Sequence, residues 1–299
     1  MEQKPIIRVC GLRKVYRIGD EKVVALANMN LEILQGQIIC IVGTSGSGKS
    51  TLLNQLAGLE KPSRGAVYIG KTNISKLSEN QLATFRQRYL GFVFQSYNLL
   101  PTMTALENVA LPLIFKGIGK RKRNKAALTM LDAVGLKKRA RHKPTQMSGG
   151  QQQRVGIARA FVSHPKVVFA DEPTGNLDTK TTIDVMRMMV RFARKYNQTL
   201  ILVTHDPEIA DYADRVITLI DGEITTDIVH TPIYDGIDSV EPLPEIPSGE
   251  ELPDDPAEDD MPILPDDPAG DDMPILPDDP AQDEADLPAD ADNKGVIKI

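Results

Sequence analysis

The chain has 299 residues, a formal net charge of −6 and two cysteines, Cys10 and Cys40. Both cysteines lie on predicted strands and no Cys-x-x-Cys spacing occurs, which indicates buried, reduced thiols of a cytosolic protein. No apolar run approaches the ~18 residues of a membrane span, and none follows the first few residues, so we expect neither a transmembrane helix nor a signal peptide.

The first 42 residues are predicted to form a β-rich lobe. Residues 6–9 and 23–34 alternate as strands, with a turn at Gly19-Asp20 between them. Residues 38–42 are apolar and mostly β-branched, a pattern typical of a buried strand.

A glycine-rich stretch follows this strand with the spacing G-x-x-x-x-G-K-[ST] of a phosphate-binding loop. Its glycines let successive N–H groups point inward, and a helix predicted to begin at about Lys49 directs its positive end to the same point. Lys49 can reach the β- and γ-phosphates, and the Ser50 hydroxyl can ligate Mg²⁺. A chance turn is the alternative, but the flanking strand and apolar helix favour nucleotide binding. The predicted nucleotide contacts in this stretch are Gly43, Ser45, Gly46, Ser47, Gly48, Lys49, Ser50 and Thr51.

The middle of the chain is predicted to be mainly helical. Ser78 is placed to cap a helix, and a buried strand over residues 91–94 ends at Gln95. Apolar residues then recur at helical spacing from 103 to 143, which indicates a helical subdomain inserted over about residues 96–160.

Basic residues cluster in this subdomain, at 116–125 and again at 137–143. A solvated helix face is the favoured interpretation; nucleic acid, anionic lipid headgroups and the chain's own acidic tail are the alternatives. No aromatic residues interleave with these charges, which argues against a groove for single-stranded nucleic acid.

A second α/β portion completes the predicted domain. Residues 149–163 and 179–196 are predicted helices, and strands over 167–170 and 200–203 end at Asp171-Glu172 and at Thr204-His205. A hairpin over residues 216–226 closes the domain. Because strands alternate with helices, we expect a mostly parallel sheet with buried strands.

Charge divides the chain near residue 230. Residues 1–229 carry 33 Lys and Arg against 19 Asp and Glu, whereas residues 230–299 carry 2 lysines against 22 acids. A Pro- and Asp-rich repeat of 12 residues begins at Leu252 and again at Leu264. Because prolines remove backbone donors and acids repel one another, we predict one domain over 1–229 and a disordered acidic tail over 230–299. We expect the tail either to fold back onto the basic subdomain or to act as a solubilising extension.

A set of motifs, in order, resembles those of ABC transporter ATP-binding subunits over residues 6–229. Residues 147–151, Met-Ser-Gly-Gly-Gln, resemble the ABC signature, which other P-loop families lack. Met147 replaces the family's usual Leu, a nearly volume-conserving change. Residues 94–101, 107–109 and 171–178 resemble the branch that serves lipoprotein release, macrolide export, peptide-antibiotic export and cell-division signalling. The other motifs that carry the resemblance are a Walker A at 43–51, Gln95 as the Q-loop, a Walker B at 168–172, a D-loop at 175–178 and His205 as the switch histidine.

The resemblance implies an α/β fold of the P-loop ABC ATPase type, with a mostly parallel core sheet, an antiparallel β lobe and the helical subdomain. It also implies roles for single residues in ATP hydrolysis. Glu172 would polarise the attacking water as general base, and His205 would contact the γ-phosphate. Tyr16 would stack on adenine. The side chains that would hold Mg²⁺, directly or through water, are those of Ser50, Gln95 and Asp171.

The signature implies a second molecule. Ser148, Gly149, Gly150 and Gln151 would form another anion site at a helix N-terminus. In the family, two subunits pack head to tail, so that the Walker A of one faces the signature of the other. The resemblance therefore implies a homodimer that ATP closes and hydrolysis opens.

From these features we predict the Mg-dependent ATPase subunit of an ABC transporter, peripheral on the cytoplasmic face of the membrane. A separate permease would dock on the residues after Gln95 and on the helical subdomain, for export or for extrusion of lipoproteins or peptides. An ATPase switch of a membrane complex that moves no solute is the alternative. A soluble ABC protein acting on DNA or ribosomes is disfavoured by the single ATPase body and the lack of an inserted coiled coil, so no nucleic-acid partner is expected.

Overall fold

The computed structural model of the chain describes residues 5–234. The prediction of a disordered tail falls outside the described residues from position 235 onward. Residues 230–234 are described, and two of their backbone N–H groups bond the preceding segment: His230 N donates to Asp214 O at 2.7 Å and Ile233 N to Asp211 O at 2.8 Å. The predicted domain boundary itself stays a prediction.

An antiparallel four-stranded sheet forms the N-terminal lobe, in the order β2-β1-β4-β5. Its strands are β1 at Pro5–Ile18, β2 at Glu21–Leu34, β4 at Arg64–Ile69 and β5 at Thr72–Asn73. Alternate residues such as Ile7, Val9 and Ile33 are buried, as expected when one face of an antiparallel sheet covers a core. The antiparallel lobe is therefore confirmed, although the sequence did not predict β5.

A six-stranded core sheet has the order β10-β9-β3-β8-β7-β6. Its strands are β3 at Ile38–Val42, β6 at Leu90–Phe94, β7 at Val167–Asp171, β8 at Thr199–Thr204, β9 at Arg215–Ile220 and β10 at Glu223–Val229. All pairings are parallel except that between β9 and β10, which confirms the mostly parallel sheet. Because parallel strands end at one edge, the loops after β3, β7 and β8 meet there.

The helices begin at side-chain caps wherever the sequence supplies them. Ser78, Thr104 and Ser148 each form a reciprocal capping box with a Gln or Glu three residues later. α3, α4 and α5 pack through buried side chains and form the predicted helical subdomain. The helices are α1 at Lys49–Leu56, α2 at Glu79–Tyr89, α3 at Ala105–Phe115, α4 at Lys120–Ala133, α5 at Gly149–Phe161, α6 at Thr179–Lys195 and the short α7 at Pro207–Ala210.

The two cysteines differ in burial. Cys40, on β3, is buried, and burial, with further contributions from Glu172 and Asp206, raises the pKa of its thiol to about 12. Cys10 is exposed, so the prediction of two buried thiols was wrong for this residue. It lies on β1 on the same outward face as Arg8, because buried Ile7 and Val9 alternate with exposed Arg8 and Cys10 along the strand.

None of the helices within residues 5–234 combines the length and the apolar character that a bilayer span requires.

Candidate functional site

The loop between β3 and α1 curls around the N-terminus of α1. Gly48, just before the helix, has a φ of 98°, which glycine adopts at little steric cost. Lys49 is 8% exposed, and its Nζ donates to Gly43 O at 2.8 Å and to Thr44 O at 2.7 Å. The two carbonyls therefore hold the ammonium group against the loop, beside the free N–H groups of the helix start.

The turn between β9 and β10 supports this loop from the C-terminal side of the chain. Gly222 N donates to Ser47 O at 3.0 Å, and Gly222 O accepts from Ala27 N at 3.0 Å. Gly222 has a φ of 77°, and a methyl group on it would lie 2.6 Å from Ala25 O. The conformation of the loop thus depends on close packing between three backbone segments that are distant in sequence.

A cavity of about 770 Å³ opens beside the loop. One wall of the cavity, which the sequence did not predict, consists of three residues of β2 and two residues of the β9–β10 turn. Val23 and Val24 in this wall are 44% and 42% exposed and provide an apolar surface. The hairpin was predicted, but not its place in the site, because the position of the turn beside Lys49 is a long-range contact. The predicted site residues that line the cavity are Ser45, Gly46, Gly48, Lys49, Ser50, Thr51, Glu172 and His205, and the unpredicted ones are Val23, Val24, Ala25, Asp221 and Gly222.

Asp171 ends β7 with an unsatisfied oxygen. Its Oδ1 is buried and has no hydrogen-bond partner within residues 5–234. Burial raises the pKa of Asp171 above its ordinary value, the charge of Glu172 raises it further, and Lys49 lowers it. A lone carboxylate oxygen suits Mg²⁺, which takes one or two protein carboxylates and completes its shell with phosphates and water. In the described part of the chain, no three His, Cys, Asp or Glu side chains form a metal-binding group of their own.

Glu172 follows Asp171 in an unusual backbone conformation, with a φ of 45°. Its N–H donates to Val203 O at 2.9 Å. Its Oε1 lies 2.8 Å from His205 Nδ1, and its Oε2 accepts from Thr204 Oγ1 at 3.3 Å. The adjacent ends of β7 and β8 therefore bring the predicted base and the predicted switch histidine together. A strained acidic residue that neighbouring strands hold in place is typical of a functional site.

Apart from the signature residues, five predicted site residues do not line the cavity. Ser47 Oγ is buried and has no partner within the described residues. The Tyr16 hydroxyl donates a hydrogen bond to Glu60 Oε2 at 2.6 Å. Burial raises the pKa of this hydroxyl, and the bond to Glu60 raises it further. Gln95 O accepts from Asn176 Nδ2 at 3.0 Å. The five residues are Tyr16, Gly43, Ser47, Gln95 and Asp171.

The signature residues form the start of α5, and none of them lines the cavity. Ser148 Oγ accepts from Gln151 N at 3.4 Å, and Gln151 Oε1 accepts from Ser148 N at 3.2 Å. This capping box leaves other N–H groups of the first turn available to an anion. Within one copy of the chain, the two predicted phosphate-binding helix ends therefore do not share a cavity.

Comparison with known proteins identifies the family. Residues 26–175 match the ABC transporter family. The chain is 49% identical over 219 residues to an uncharacterised ABC transporter ATP-binding protein of Methanocaldococcus jannaschii, which covers 73% of this chain and 97% of the relative. It is 47% identical over 213 residues to the lipoprotein-releasing system ATP-binding protein LolD of Legionella pneumophila, with coverages of 71% and 94%. Identity to the macrolide export ATP-binding/permease protein MacB of Vibrio parahaemolyticus is 43% over 228 residues, but these are 76% of this chain and only 35% of MacB.

Solved structures agree with the sequence matches. A dimeric structure of the ATP-binding cassette MJ0796, in a post-hydrolysis state with ADP and Pi, matches with a TM-score of 0.71 and 42% identity. The match covers 75% of this chain and 99% of that cassette. The chain therefore shares the fold of a known ATP-binding cassette. The chain belongs to the ABC transporter family and is an ABC-type ATPase.

Proposed function

We propose that the chain is the ATP-binding subunit of an ABC transporter complex, which dimerises on ATP, hydrolyses it with Mg²⁺ and drives a separate membrane permease. One observation carries the proposal: the Glu172 carboxylate lies against His205 at the wall of a cavity that also contains Lys49. A base and a phosphate-binding lysine on one cavity are what hydrolysis of a nucleoside triphosphate requires.

The loop residues bind the phosphates. Lys49 and the backbone N–H groups of the loop neutralise their charge, and Val23 and Val24 pack against the nucleoside. Ser50, Asp171 and Gln95 are the residues that would hold Mg²⁺. The ion, when bound, stabilises the negative charge of the phosphates.

Glu172 accepts the proton of the attacking water. His205 Nδ1 and Thr204 Oγ1 contact the two carboxylate oxygens and thereby fix the orientation of the base. Enzymes catalyse phosphoryl transfer mainly by positioning the reacting groups and by electrostatic stabilisation of the transition state. A base of fixed orientation supports the first of these, because it holds the water in line for attack. His205 is 67% exposed at the mouth of the cavity, where its ring can also contact the γ-phosphate.

A second copy completes the site. The start of α5 offers an anion-binding helix end but lies outside the cavity of its own chain. The related MJ0796 cassette forms dimers, which supports a head-to-tail pair in which the first turn of α5 binds the phosphates held by the partner.

Replacement Glu172→Gln tests the proposed base. The variant should bind ATP, hydrolyse it at least ~100-fold more slowly and elute as a dimer when ATP is present, because loss of the base stops turnover and not binding. Glu208→Gln, at an exposed acid of α7, is the matched control and should behave as the parent. Hydrolysis by Glu172→Gln at the parental rate would show that the base is assigned to the wrong residue.

An apolar groove supports docking of a permease. It has a volume of about 340 Å³ and runs between the core sheet and α3, where Leu111 and Phe115 line it. Phe115 is 64% exposed and Leu59, which also lines the groove, is 43% exposed, so the groove presents a joined apolar surface rather than a single exposed side chain. We place the partner here, and the chain at the cytoplasmic face of the membrane through it. The substitution Phe115→Asp should abolish co-purification of the permease without slowing hydrolysis by the isolated chain.

Transport assays with the purified complex then decide between a transporter and a switch that moves no solute. Vesicles that accumulate or release lipoprotein or peptide in an ATP-dependent manner support the former. ATP-dependent movement of the permease without such transport supports the latter.

A further inference from the structure

We propose that Tyr97 and Thr181 are positioning residues that fix the first turn of α5. On this proposal, positions 149 and 150 require glycine because the side chains of Tyr97 and Thr181 occupy the space that a Cβ atom at each position would need. This inference deepens the proposed function and rests on it, since the helix end in question is the one assigned to the partner's nucleotide.

Tyr97 packs against Gly149. A methyl group on Gly149 would lie 2.7 Å from Tyr97 Oη and 3.7 Å from Tyr97 Cζ. The second distance is an ordinary contact, so the hydroxyl oxygen alone blocks a side chain here.

The backbone of Tyr97 is held in place. It has a φ of 61°, its N–H donates to Phe94 O at 3.2 Å, and its carbonyl accepts from Arg159 Nη2 at 2.9 Å. Arg159 lies on α5 and also donates to Asn98 O. The loop after Gln95 is therefore bound to α5 near both ends of the helix, at Gly149 and at Arg159.

Thr181 packs against Gly150 in the same way. A methyl group on Gly150 would lie 2.7 Å from Thr181 Cγ2 and 3.7 Å from Thr181 Oγ1. The Thr181 hydroxyl donates to Asp178 Oδ2 at 2.7 Å, and its N–H donates to Asp178 Oδ1 at 3.0 Å. These bonds fix the rotamer, so that the methyl group is the part of the side chain that faces Gly150.

The two contacts connect the helix end to the proposed catalytic edge. Tyr97 belongs to the loop after β6, which contains Gln95, and Thr181 belongs to the first turn of α6, which follows β7 and its two acids. The first turn of α5 is thus held from both sides by segments that leave the edge where Asp171 and Glu172 lie. A small displacement of an anion-binding group costs roughly 100-fold in rate, so this placement matters for hydrolysis.

Paired substitutions test whether the glycines serve packing within the chain. Tyr97→Phe removes only the blocking oxygen, and Thr181→Ser removes only the blocking methyl group and keeps the bond to Asp178. The matched pairs are Gly149→Ala with Tyr97→Phe and Gly150→Ala with Thr181→Ser. The crossed pairs, Gly149→Ala with Thr181→Ser and Gly150→Ala with Tyr97→Phe, are controls of the same composition.

Each glycine variant should lower kcat roughly 10- to 100-fold, because the overlap displaces the first turn of α5 or the side chain that fixes it. The affinity of the isolated, monomeric chain for ATP should change little, since the loop that contains Lys49 is untouched. In each matched pair, kcat should return to within roughly threefold of that of the Tyr97→Phe or Thr181→Ser single variant. The midpoint of thermal unfolding should recover as well. The crossed pairs should stay as slow as the single glycine variants.

Loss of activity that the matched pairs do not relieve would overturn the inference and leave the proposed function standing, because the glycines would then serve close approach of a ligand. Recovery in the crossed pairs would overturn it as well, since the effect would not be local. Parental hydrolysis in both single glycine variants would overturn both the inference and the proposed use of this helix end.

Discussion

Substitution Gly222→Ala should weaken both the fold and nucleotide binding. The new methyl group would lie 2.6 Å from Ala25 O, 3.0 Å from Ala25 C and 3.2 Å from Leu26 Cα. All three are backbone atoms of β2, which cannot rotate away as a side chain can. The strand or the turn must move, and movement of the turn breaks the bond from Gly222 N to Ser47 O.

The size of the effect follows from two contributions. Alanine in the left-handed region, at a φ of 77°, costs about 1–2 kcal/mol. The overlap with β2 costs about 1–3 kcal/mol more, as over-packing usually does. Gly117→Ala is the matched control, because Gly117 has a φ of 74° but no atom of the described residues within 4 Å of its added methyl group.

Urea unfolding of the parent and both variants measures the two contributions. Gly222→Ala should lose about 1–3 kcal/mol more of the free energy of unfolding than Gly117→Ala does. Titration with a fluorescent ATP analogue should show roughly tenfold weaker binding for Gly222→Ala alone, since each 1.4 kcal/mol is a factor of ten. Equal losses of stability in the two variants, with parental nucleotide affinity, would refute the proposed support of the loop by this turn.

Three further predictions concern buried polar groups. Asp171→Asn should raise the Mg²⁺ concentration for half-maximal hydrolysis roughly tenfold, because it removes the charge of the proposed ligand; an unchanged Mg²⁺ titration would contradict this. Ser47→Ala should leave the free energy of unfolding unchanged or raise it, since the buried Oγ has no partner within residues 5–234; a loss above about 1 kcal/mol in urea unfolding would show that the hydroxyl is bonded. Lys116 Nζ donates to Arg88 O and Ser163 O, and burial lowers its pKa to about 8 from 10.5. Between pH 8 and 10.5 the unfolded chain therefore binds more protons than the folded chain, and stability from this group rises with pH. Lys116→Met should reduce the slope of the free energy of unfolding against pH, which urea unfolding at several pH values between 8 and 10.5 measures. Equal slopes in the parent and the variant would contradict the burial of the amine.

The sequence predicted the parts of the site that depend on local pattern. A buried strand, a glycine-rich loop and a helix are adjacent in sequence, so the position of Lys49 beside the start of α1 followed from spacing alone. The expected parallel sheet also placed Glu172 and His205 at one edge, because parallel strands end at one edge, whereas the pairing of β7 with β8 that brings the two into contact came from the structure. The predicted sheets and the helical subdomain were confirmed for the same reason: period and length of the apolar runs decide them.

The sequence could not predict contacts that depend on close approach between distant segments. Nothing near Gly222 in sequence indicates that its N–H bonds Ser47 or that β2 leaves no room for a methyl group. Nor does the pair Gly149-Gly150 show whether a ligand or a neighbouring side chain requires glycine. The exposure of Cys10 was missed because the prediction used only its position in a strand and not the face on which it lies: buried Ile7 and Val9 alternate with exposed Arg8 and Cys10.

The proposed function requires that one copy of the chain contributes only half of each hydrolytic site. Mixing two inactive variants tests it most directly. Lys49→Ala removes the phosphate-binding lysine, and Ser148→Arg blocks the start of α5. In a mixed dimer, the intact loop of the Ser148→Arg chain faces the intact α5 of the Lys49→Ala chain, so one complete site forms. Each variant alone should hydrolyse almost no ATP, and the mixture should recover a substantial fraction of the parental rate, in proportion to the mixed dimers formed. A mixture as inactive as its two components, although mixed dimers form, would contradict it.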